Sequence, residues 1–208
     1  MEHRTVLCFG DSNTYGSIPG VAGGRFEWDV RWPGVLAGEL ADGWRVIEEG
    51  LPGRTTVFDD PISPYRRGAD YLPPCLASHA PLEVVVIFLG TNDLKARLSA
   101  GPSDIAEGLG VLVQQALDSA SGPGGEAPRV ILLGLPRLGA PPGPEFDGAA
   151  GKAAELPGYL AQRATALGVE LLDLSQVVAY SAVDGFHLDA EGHATIGRTV
   201  AGLLRAAS

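Results

Sequence analysis

Five short apolar segments constrain the fold of this chain more than any other feature of its sequence. Several of them are apolar on successive residues, without the polar alternation of a half-exposed strand, which favours a parallel sheet covered on both faces. The five predicted strands are TVLCFG from Thr5, RVIEE from Arg45, LEVVVIFLG from Leu82, RVILLG from Arg129 and VELLDL from Val169.

Helical patterns fill the intervals between these segments. The clearest covers residues 103 to about 120, with Ser103 as the predicted N-cap and Asp104 in the first turn. A second helix begins at Asp189, which belongs to a residue type that caps helices well. Weaker helical patterns cover residues 32–40, 71–79 and about 153–167. Strands and helices therefore alternate along the chain.

This alternation predicts an α/β fold with a doubly wound sheet of five parallel strands, because each parallel connection needs a crossover of about a dozen residues. We find no internal repeat or linker, so residues 1–208 are expected to form a single domain. Ligands of such sheets bind at the carboxyl ends of the strands. Three long loops are therefore of interest, at residues 16–29, 50–64 and 134–151.

Composition and charge exclude several kinds of partner. The chain has 15 basic and 25 acidic side chains, a formal net charge of −10, and only two lysines, Lys95 and Lys152. This balance excludes nucleic acid, which is bound mainly by Lys and Arg. Cys8 and Cys75 lie in apolar stretches and are predicted to be buried thiols, with a single disulfide left open. No zinc-binding spacing of Cys and His occurs, so no metal is expected.

The sequence also predicts where the protein resides. No segment is long enough to span a membrane, and the apolar run that ends at Gly10 is too short for the core of a secretion signal. We expect a soluble cytoplasmic protein without a membrane partner. Aromatic residues between positions 16 and 32, if exposed, would form a patch suited to self-association, which predicts a homo-oligomer.

A candidate nucleophile follows the first predicted strand, in the segment GDSN from Gly10 to Asn13. Ser12 in this turn would present its hydroxyl at the rim of the sheet, with its backbone N–H free to donate. The same residue types cap helices well, so a capping role is the alternative.

A candidate acid and base lie in the segment DGFH, just before the last predicted helix. A loop can place two side chains three residues apart on one side. Asp184 can then accept a hydrogen bond from one imidazole nitrogen of His187 while the other nitrogen faces a serine. The alternative is an ion pair or a turn without catalysis.

Two candidate oxyanion donors follow neighbouring strands, in GTND from Gly90 and GLPG from Gly50. The Asn92 side-chain amide and the Gly53 backbone N–H can each donate to a developing oxyanion, although each can also simply serve a turn. All the candidate residues converge on the carboxyl edge of the predicted sheet. A serine, an Asp/His pair and oxyanion donors are needed together at one place.

These four motifs, in this order along nearly the whole chain, resemble those of the SGNH (GDSL) hydrolases. The resemblance implies a three-layer α/β/α, flavodoxin-like fold. It also implies Ser12 as the nucleophile and first oxyanion-hole donor, with Gly53 and Asn92 as the second and third donors. Asp184 and His187 are then the acid and base of a catalytic triad.

Longer segments resemble the arylesterase branch of that family, namely VRWPGVLA, VIEEGLPGRTT and YLPPCLASHAPLEVVVIFLGTND. Some members of this branch also pass acyl groups to alcohols or to peroxide. One departure is Glu48, where many members carry Asn, and it leaves the catalytic set untouched. Asp11 and Asp93 flank the predicted site and are expected to serve turns and caps, while His79 and His193 are expected to be packing or surface residues.

We therefore predict a serine esterase that hydrolyses small carboxylic esters, with short-acyl or aryl groups, through an acyl-enzyme and without a cofactor. One alternative is a carbohydrate O-deacetylase, whose sugar could stack on aromatic residues at the entrance, namely Tyr15, Phe26, Trp28 or Trp32. The same residues could instead accept an aryl group, or pack at an interface or at the edge of the core. Another is a non-catalytic, flavodoxin-like binding domain, although the glycine motifs of nucleotide-binding loops are missing. The absence of G-x-S-x-G disfavours an α/β-hydrolase.

Overall fold

One parallel sheet of five strands organises the protein in the computed structural model, which describes residues 4–40, 43–139 and 143–206. The strands are β1 (Arg4–Gly10), β2 (Trp44–Gly50), β3 (Val84–Phe88), β4 (Arg129–Leu133) and β5 (Glu170–Leu172). Their order across the sheet is β2-β1-β3-β4-β5, and every neighbouring pair is parallel. All five apolar segments are strands, as predicted, and the fold class is α/β.

Helices cover both faces of the sheet, which confirms the three-layer architecture. One layer pairs the second helix with the last, and the other is formed by the three helices between them. The helices are α1 (Ser12–Tyr15), α2 (Trp32–Leu40), α3 (Gly68–His79), α4 (Pro102–Leu117), α5 (Ala149–Leu167) and α6 (Ala190–Ala206).

The burial of each strand follows its place in the sheet. All five residues of the central strand β3 are buried, which explains its uninterrupted apolar sequence. The edge strand β2 is only half-buried and carries Glu48 and Glu49 near its carboxyl end. The chain leaves β1 for β2 on one side and returns to β3 on the other, so the loops after β1 and β3 face each other at the switch in strand order.

Two predicted helix caps have different outcomes. Asp189 caps α6 as predicted, since its Oδ1 accepts a hydrogen bond of 2.8 Å from the Gly192 N–H. The prediction of Ser103 as the cap of α4 is wrong. The helix begins at Pro102 and its cap is Gly101, whose N–H donates to Asp104 Oδ2 at 2.9 Å. Proline suits the first helical position because its missing N–H has no partner to lose there.

Other predictions concern single residues and loops. Cys8 and Cys75 are buried free thiols, so no disulfide joins them. Of the loop at 134–151, residues 140–142 lie outside the described part, and the rest includes a 3-10 turn at Pro144–Phe146 that buries Phe146. Within the described ranges, no helix is long and apolar enough to cross a membrane. The single domain and the homo-oligomer stay predictions.

Candidate active site

Ser12 lies in a tight turn at the carboxyl end of β1, where it is the first residue of α1. Asp11 caps this short helix, because its Oδ1 accepts a hydrogen bond of 2.8 Å from the Asn13 N–H. The capping alternative therefore applies to Asp11 and leaves the Ser12 hydroxyl free. The turn also requires Gly10, since a Cβ there would lie 2.0 Å from Thr14 Oγ1.

His187 contacts Ser12 across a sequence separation of 175 residues. Its Nε2 lies 3.0 Å from Ser12 Oγ, and its Nδ1 lies 2.7 Å from Asp184 Oδ2. The loop holds this arrangement locally, because the N–H groups of Phe186 and His187 both donate to Asp184 Oδ1, at 3.3 and 3.0 Å. The predicted Asp/His pair and the predicted serine are therefore in one hydrogen-bonded chain.

Asp184 is stabilised as an anion. Burial acts to raise its pKa, but hydrogen bonds from the His187 ring and from the His187 and Phe186 N–H groups outweigh burial and lower the pKa below its usual range. A donor from another loop adds to this set: the Gly20 N–H lies 3.1 Å from Asp184 Oδ2. The segment after α1 therefore touches the carboxylate that orients His187.

Asn92 follows β3 in a 3-10 turn and is buried. Its Nδ2 donates to the Arg54 carbonyl oxygen at 3.1 Å and to Asp11 Oδ2 at 3.3 Å. Gly53 has a left-handed backbone with φ of 81°, which favours glycine, although a Cβ would meet nothing closer than the Arg66 side chain at 3.7 Å. The turn geometry, and not crowding, explains this glycine.

The Arg54 side chain joins the carboxyl ends of β1 and β2, which precede Ser12 and Gly53. Its Nη1 donates to the carbonyl oxygen of Gly10 at 2.8 Å and to that of Glu49. The buried guanidinium also stacks on Phe9 and Tyr71, with distances of 4.2 and 5.1 Å from Cζ to the ring centroids. No sequence motif predicted this role, because the bonds go from a side chain to backbone oxygens.

All five predicted site residues line one cavity of about 510 Å³. Tyr15, Phe146 and Phe186 contribute aromatic side chains to its walls, and Lys95 and Glu145 contribute charged ones. The prediction of an aromatic entrance is therefore right only for Tyr15. Trp32 is fully buried, with its Nε1 3.3 Å from Thr14 Oγ1. Phe26 packs edge-on against His193, and neither it nor the exposed Trp28 lines the cavity.

Comparison with known families identifies the family of the chain. The model of the GDSL-like lipase/acylhydrolase family matches residues 8–195 of the 208 residues. The chain belongs to this family. Its members are acyl hydrolases, so this GDSL-like hydrolase is an enzyme that hydrolyses ester bonds of small molecules.

Solved structures resemble the GDSL-like hydrolase over nearly its whole length. The aryl esterase of M. smegmatis is 43% identical, with 98% of this chain and 99% of that chain covered and a TM-score of 0.93. A carbohydrate acetylesterase from Sinorhizobium meliloti is 40% identical, with 99% and 100% covered and a TM-score of 0.94. A carbohydrate acetylesterase family member from the same organism is 33% identical, with 98% of each chain covered and a TM-score of 0.90. No curated protein matches the chain.

Asp93 of this GDSL-like hydrolase does not serve the turn or cap that we predicted. It is fully buried, and its carboxylate accepts hydrogen bonds from the Thr56 N–H at 2.9 and 3.2 Å and from the Thr56 hydroxyl at 2.6 Å. Burial raises the pKa of Asp93 to about 6, with a further contribution from the charge of Asp11. The residue therefore joins the β3 loop to the β2 loop.

Glu48, the departure from many family members, anchors the segment at residues 16–31. Its carboxylate lies 2.6 Å from Arg25 Nη2 and 3.2 Å from Arg31 Nε. Arg25 also stacks over the Tyr15 ring at 3.9 Å and donates to the Tyr15 carbonyl oxygen at 2.8 Å. Because this segment lines the cavity, Glu48 contributes to the shape of the cavity without touching its interior.

Lys95 contributes a positive charge to the cavity wall. Its nearest carboxylate oxygen is Asp60 Oδ2, at 3.9 Å, and both oxygens of Asp60 are already bound by Arg97 at 2.9 and 2.6 Å. No hydrogen bond joins the Lys95 ammonium to another described residue. Burial lowers the pKa of Lys95. The ammonium can therefore donate to a bound molecule.

One group of metal-ligating residue types occurs among the described residues. Ligand atoms of Glu49, Cys75 and His79 lie within 4.8 Å of one another. Protein contacts already account for the group, since Glu49 Oε1 lies 3.0 Å from His79 Nε2 and Glu49 Oε2 accepts from the Tyr71 hydroxyl at 3.2 Å. The Arg54 charge opposes a cation there, and burial raises the pKa of the Cys75 thiol to about 12.

Proposed function

We propose that this enzyme is a serine esterase of small carboxylic esters that works through an acyl-enzyme. One observation carries the proposal: Asp184 Oδ2 lies 2.7 Å from His187 Nδ1, and His187 Nε2 lies 3.0 Å from Ser12 Oγ, with all three residues lining one cavity. A base held by a carboxylate and aimed at a hydroxyl is the arrangement that activates a serine nucleophile.

Acylation begins when Ser12 Oγ attacks the acyl carbon and its proton passes to His187 Nε2. The carbonyl oxygen becomes an oxyanion, which the N–H groups of Ser12 and Gly53 and the Asn92 side-chain amide stabilise. As the intermediate collapses, the bond to the alcohol oxygen breaks and His187 gives its proton to that oxygen. Asp184 keeps the imidazole in the required tautomer and stabilises the imidazolium.

Deacylation repeats these steps with a second nucleophile. His187 removes a proton from water, whose oxygen attacks the acyl carbon, and then returns the proton to Ser12 Oγ as the carboxylic acid leaves. An alcohol or peroxide that enters the cavity can take the place of water, which gives a new ester or a peracid. The balance between hydrolysis and transfer then depends on which acceptor the cavity admits.

Asn92 must change one hydrogen bond during this cycle. Both N–H groups of its amide have protein partners, the Arg54 carbonyl oxygen at 3.1 Å and Asp11 Oδ2 at 3.3 Å. The longer bond is the one that an oxyanion displaces, because the bond to Arg54 fixes the side chain in place. Asp11 keeps its bond from the Asn13 N–H at 2.8 Å and so stays in position.

The variant Ser12→Ala tests the proposal. We expect it to lose hydrolysis of p-nitrophenyl acetate and labelling by a fluorophosphonate probe, while Ser103→Ala, at an exposed position at the start of α4, keeps both. Hydrolysis at a near wild-type rate by Ser12→Ala would overturn the assignment of the nucleophile. Absence of probe labelling in the wild type would contradict activation of Ser12 by His187.

A carbohydrate O-deacetylase would use the same residues and differs only in the alcohol. The Lys95 ammonium and the Glu145 carboxylate in the cavity wall can bind hydroxyl groups. This observation favours acetylated sugars as a second class of substrate to test. Comparison of rates on an aryl acetate and an acetylated oligosaccharide separates the two. A series of p-nitrophenyl esters of increasing acyl length, with and without added alcohol, then defines the acyl and acceptor preferences.

A further inference from the structure

Asn13, the residue after the nucleophile, joins the nucleophile turn to the loop that carries His187. Its Nδ2 donates to the Phe186 carbonyl oxygen at 3.1 Å, and its Oδ1 accepts from the Leu188 N–H at 3.0 Å. These bonds fall on the residues immediately before and after His187. The side chain is buried, with 1% of its surface exposed. The Asn13 amide is therefore hydrogen-bonded to the backbone on both sides of His187, the proposed general base.

The backbone groups dictate the chemistry that this position needs. A carbonyl oxygen on one side of His187 requires a donor, and an N–H on the other side requires an acceptor. The two requirements fix the orientation of the Asn13 amide, with nitrogen toward Phe186 and oxygen toward Leu188. A leucine would satisfy neither group, and an aspartate would satisfy only the N–H of Leu188.

The loop keeps its own shape by other bonds. Asp184 Oδ1 accepts from the N–H groups of Phe186 and His187, and the His187 carbonyl oxygen accepts from the Ser181 N–H at 2.8 Å. None of these bonds fixes the position of the loop relative to Ser12. The hydrogen bond from the Gly20 N–H to Asp184 joins the loop to the segment at residues 16–31. The bond between His187 and Ser12 is the catalytic contact itself.

We propose that Asn13 is a positioning residue that sets the distance between His187 Nε2 and Ser12 Oγ by holding the backbone on both sides of His187. The inference rests on the proposed function, since it concerns the geometry of that nucleophile and base. Asn13 is covalently next to Ser12, and Asp11 Oδ1 fixes its backbone N–H at 2.8 Å. The base is therefore located relative to the nucleophile by one rigid amide.

Removal of this amide should lower turnover more than binding. The cavity walls outside the His187 loop make no contact with this amide, so we expect mainly that loop to shift relative to Ser12. A displacement of about 1 Å in a catalytic group can cost on the order of 100-fold in rate. For Asn13→Leu we expect kcat for p-nitrophenyl acetate to fall by roughly 100-fold, with KM within about threefold of the wild type, and labelling by a fluorophosphonate to slow in parallel.

A matched control separates positioning from general stability. Gln115 is another amide that tethers two elements, since its Nε2 donates to the Ala69 carbonyl oxygen at 3.0 Å and joins α4 to α3, and it does not line the cavity. We expect Gln115→Leu to lower the melting temperature without changing kcat. If Asn13→Leu loses melting temperature and keeps kcat in the same way, the positioning role is wrong.

Asn13→Asp provides a second variant, because it keeps the bond from the Leu188 N–H and changes only the group that faces the Phe186 carbonyl oxygen. It removes the donor to Phe186 and adds a negative charge beside the base, so we expect lower kcat and a shift of the acid limb of the kcat/KM profile to higher pH. An unchanged kcat and profile would overturn the inference. Activity that survives in Ser12→Ala would instead overturn the proposed function, so the two failures are distinguishable.

Discussion

The side-chain amide of Asn92 donates a hydrogen bond of 3.1 Å to the carbonyl oxygen of Arg54, the residue that follows Gly53. Asn92 and Gly53, two of the proposed oxyanion donors, lie in loops after different strands. The bond ties Asn92 directly to the residue next to Gly53. The Arg54 side chain extends this link to β1, because it donates to the Gly10 carbonyl oxygen two residues before Ser12. Arg54 therefore links the three loops that carry the proposed oxyanion donors, through its carbonyl oxygen and through its buried guanidinium.

Replacement of that guanidinium should weaken both stability and turnover. A lysine at position 54 lacks the planar guanidinium that stacks on Phe9 and Tyr71 and thereby holds Nη1 against the two carbonyl oxygens. We expect Arg54→Lys to lower the free energy of unfolding by about 2 kcal/mol and kcat by about 10-fold. Urea unfolding and steady-state rates measure the two effects. Arg129→Lys, which alters a pair with Glu170 away from the cavity, should leave kcat unchanged.

Replacement of Asp184 should abolish turnover and leave the fold intact. Asparagine can still accept from the N–H groups of Phe186 and His187, but it cannot hold the imidazole in the tautomer that accepts the Ser12 proton. We expect kcat of Asp184→Asn to fall by roughly 10⁴-fold, as in other serine hydrolases with this arrangement. A melting temperature close to that of the wild type, together with less than a 10-fold loss of kcat, would contradict this role.

Asp93 should make stability fall as pH rises through the mildly acidic range. Its pKa in the folded protein is about 6, against an ordinary value of 3.8, so the folded state holds the proton more tightly than the unfolded chain between these values. The free energy of unfolding should therefore drop by up to about 3 kcal/mol as the pH rises from about 3 to about 7 on account of this group. Well below pH 4 the carboxyl is protonated in both states, and well above pH 6 it is ionised in both, so the loss is complete.

The variant Asp93→Asn isolates this effect. Its side-chain oxygen can still accept from the N–H and hydroxyl of Thr56, but it carries no charge to bury. Urea unfolding at several pH values should show the variant gaining stability relative to the wild type from pH 4 to pH 6. Asp118→Asn, at an exposed position, should run parallel to the wild type. Parallel curves for Asp93→Asn as well would show that burial does not hold the proton on Asp93.

Glu48 should affect substrate binding more than turnover. Its ion pairs with Arg25 and Arg31 hold the segment that lines the cavity, so Glu48→Gln should raise KM by roughly 3- to 10-fold and change kcat less, since a weakened, partly buried pair costs on the order of 1 kcal/mol. Glu39 offers a matched control, because it also contacts two arginines, Arg198 and Arg205, but lies on the helical surface. An equal effect of Glu39→Gln on KM would contradict the local role of Glu48.

Lys95 should favour esters that carry a hydroxyl group. Its ammonium lines the cavity and lacks a hydrogen-bond partner among the described residues, so a substrate oxygen can accept from it. We expect Lys95→Met to lower kcat/KM for glycerol monoacetate relative to ethyl acetate by about 10-fold, the effect of one hydrogen bond to a charged group. Lys152→Met, at the other lysine, should leave this ratio unchanged. An unchanged ratio in Lys95→Met would remove Lys95 from substrate recognition.

The parts of the molecule that sequence alone predicts are those governed by local patterns. The apolar run of β3 indicated a strand covered on both faces, and the motifs around Ser12, Asn92 and His187 placed chemistry at the carboxyl edge of the sheet. Bonds between distant residues leave no such pattern. The Asn13 amide reaches residues 173 and 175 positions away, so its role follows only from the folded structure.

Errors at single residues have equally physical causes. Trp32 was a candidate for the cavity entrance because it is aromatic. Its ring N–H donates to Thr14 and the ring packs edge-on against Phe88, so the side chain is buried. Ser103 is a good cap by residue type, but the preceding Gly101-Pro102 pair starts the helix earlier. Asp93 resembles a turn residue in sequence and is instead bound by Thr56, which lies 37 positions earlier in the chain.

The hydrogen bond from Gly20 to Asp184 has a consequence for protein engineering. A designer who shortens or opens the segment around Gly20 to admit bulkier esters also removes a donor from the carboxylate that steers proton transfer. Wider substrate scope and fast turnover are then in competition at a single peptide group. Libraries that vary this segment should keep the backbone at position 20 fixed and diversify the side chains on either side of it.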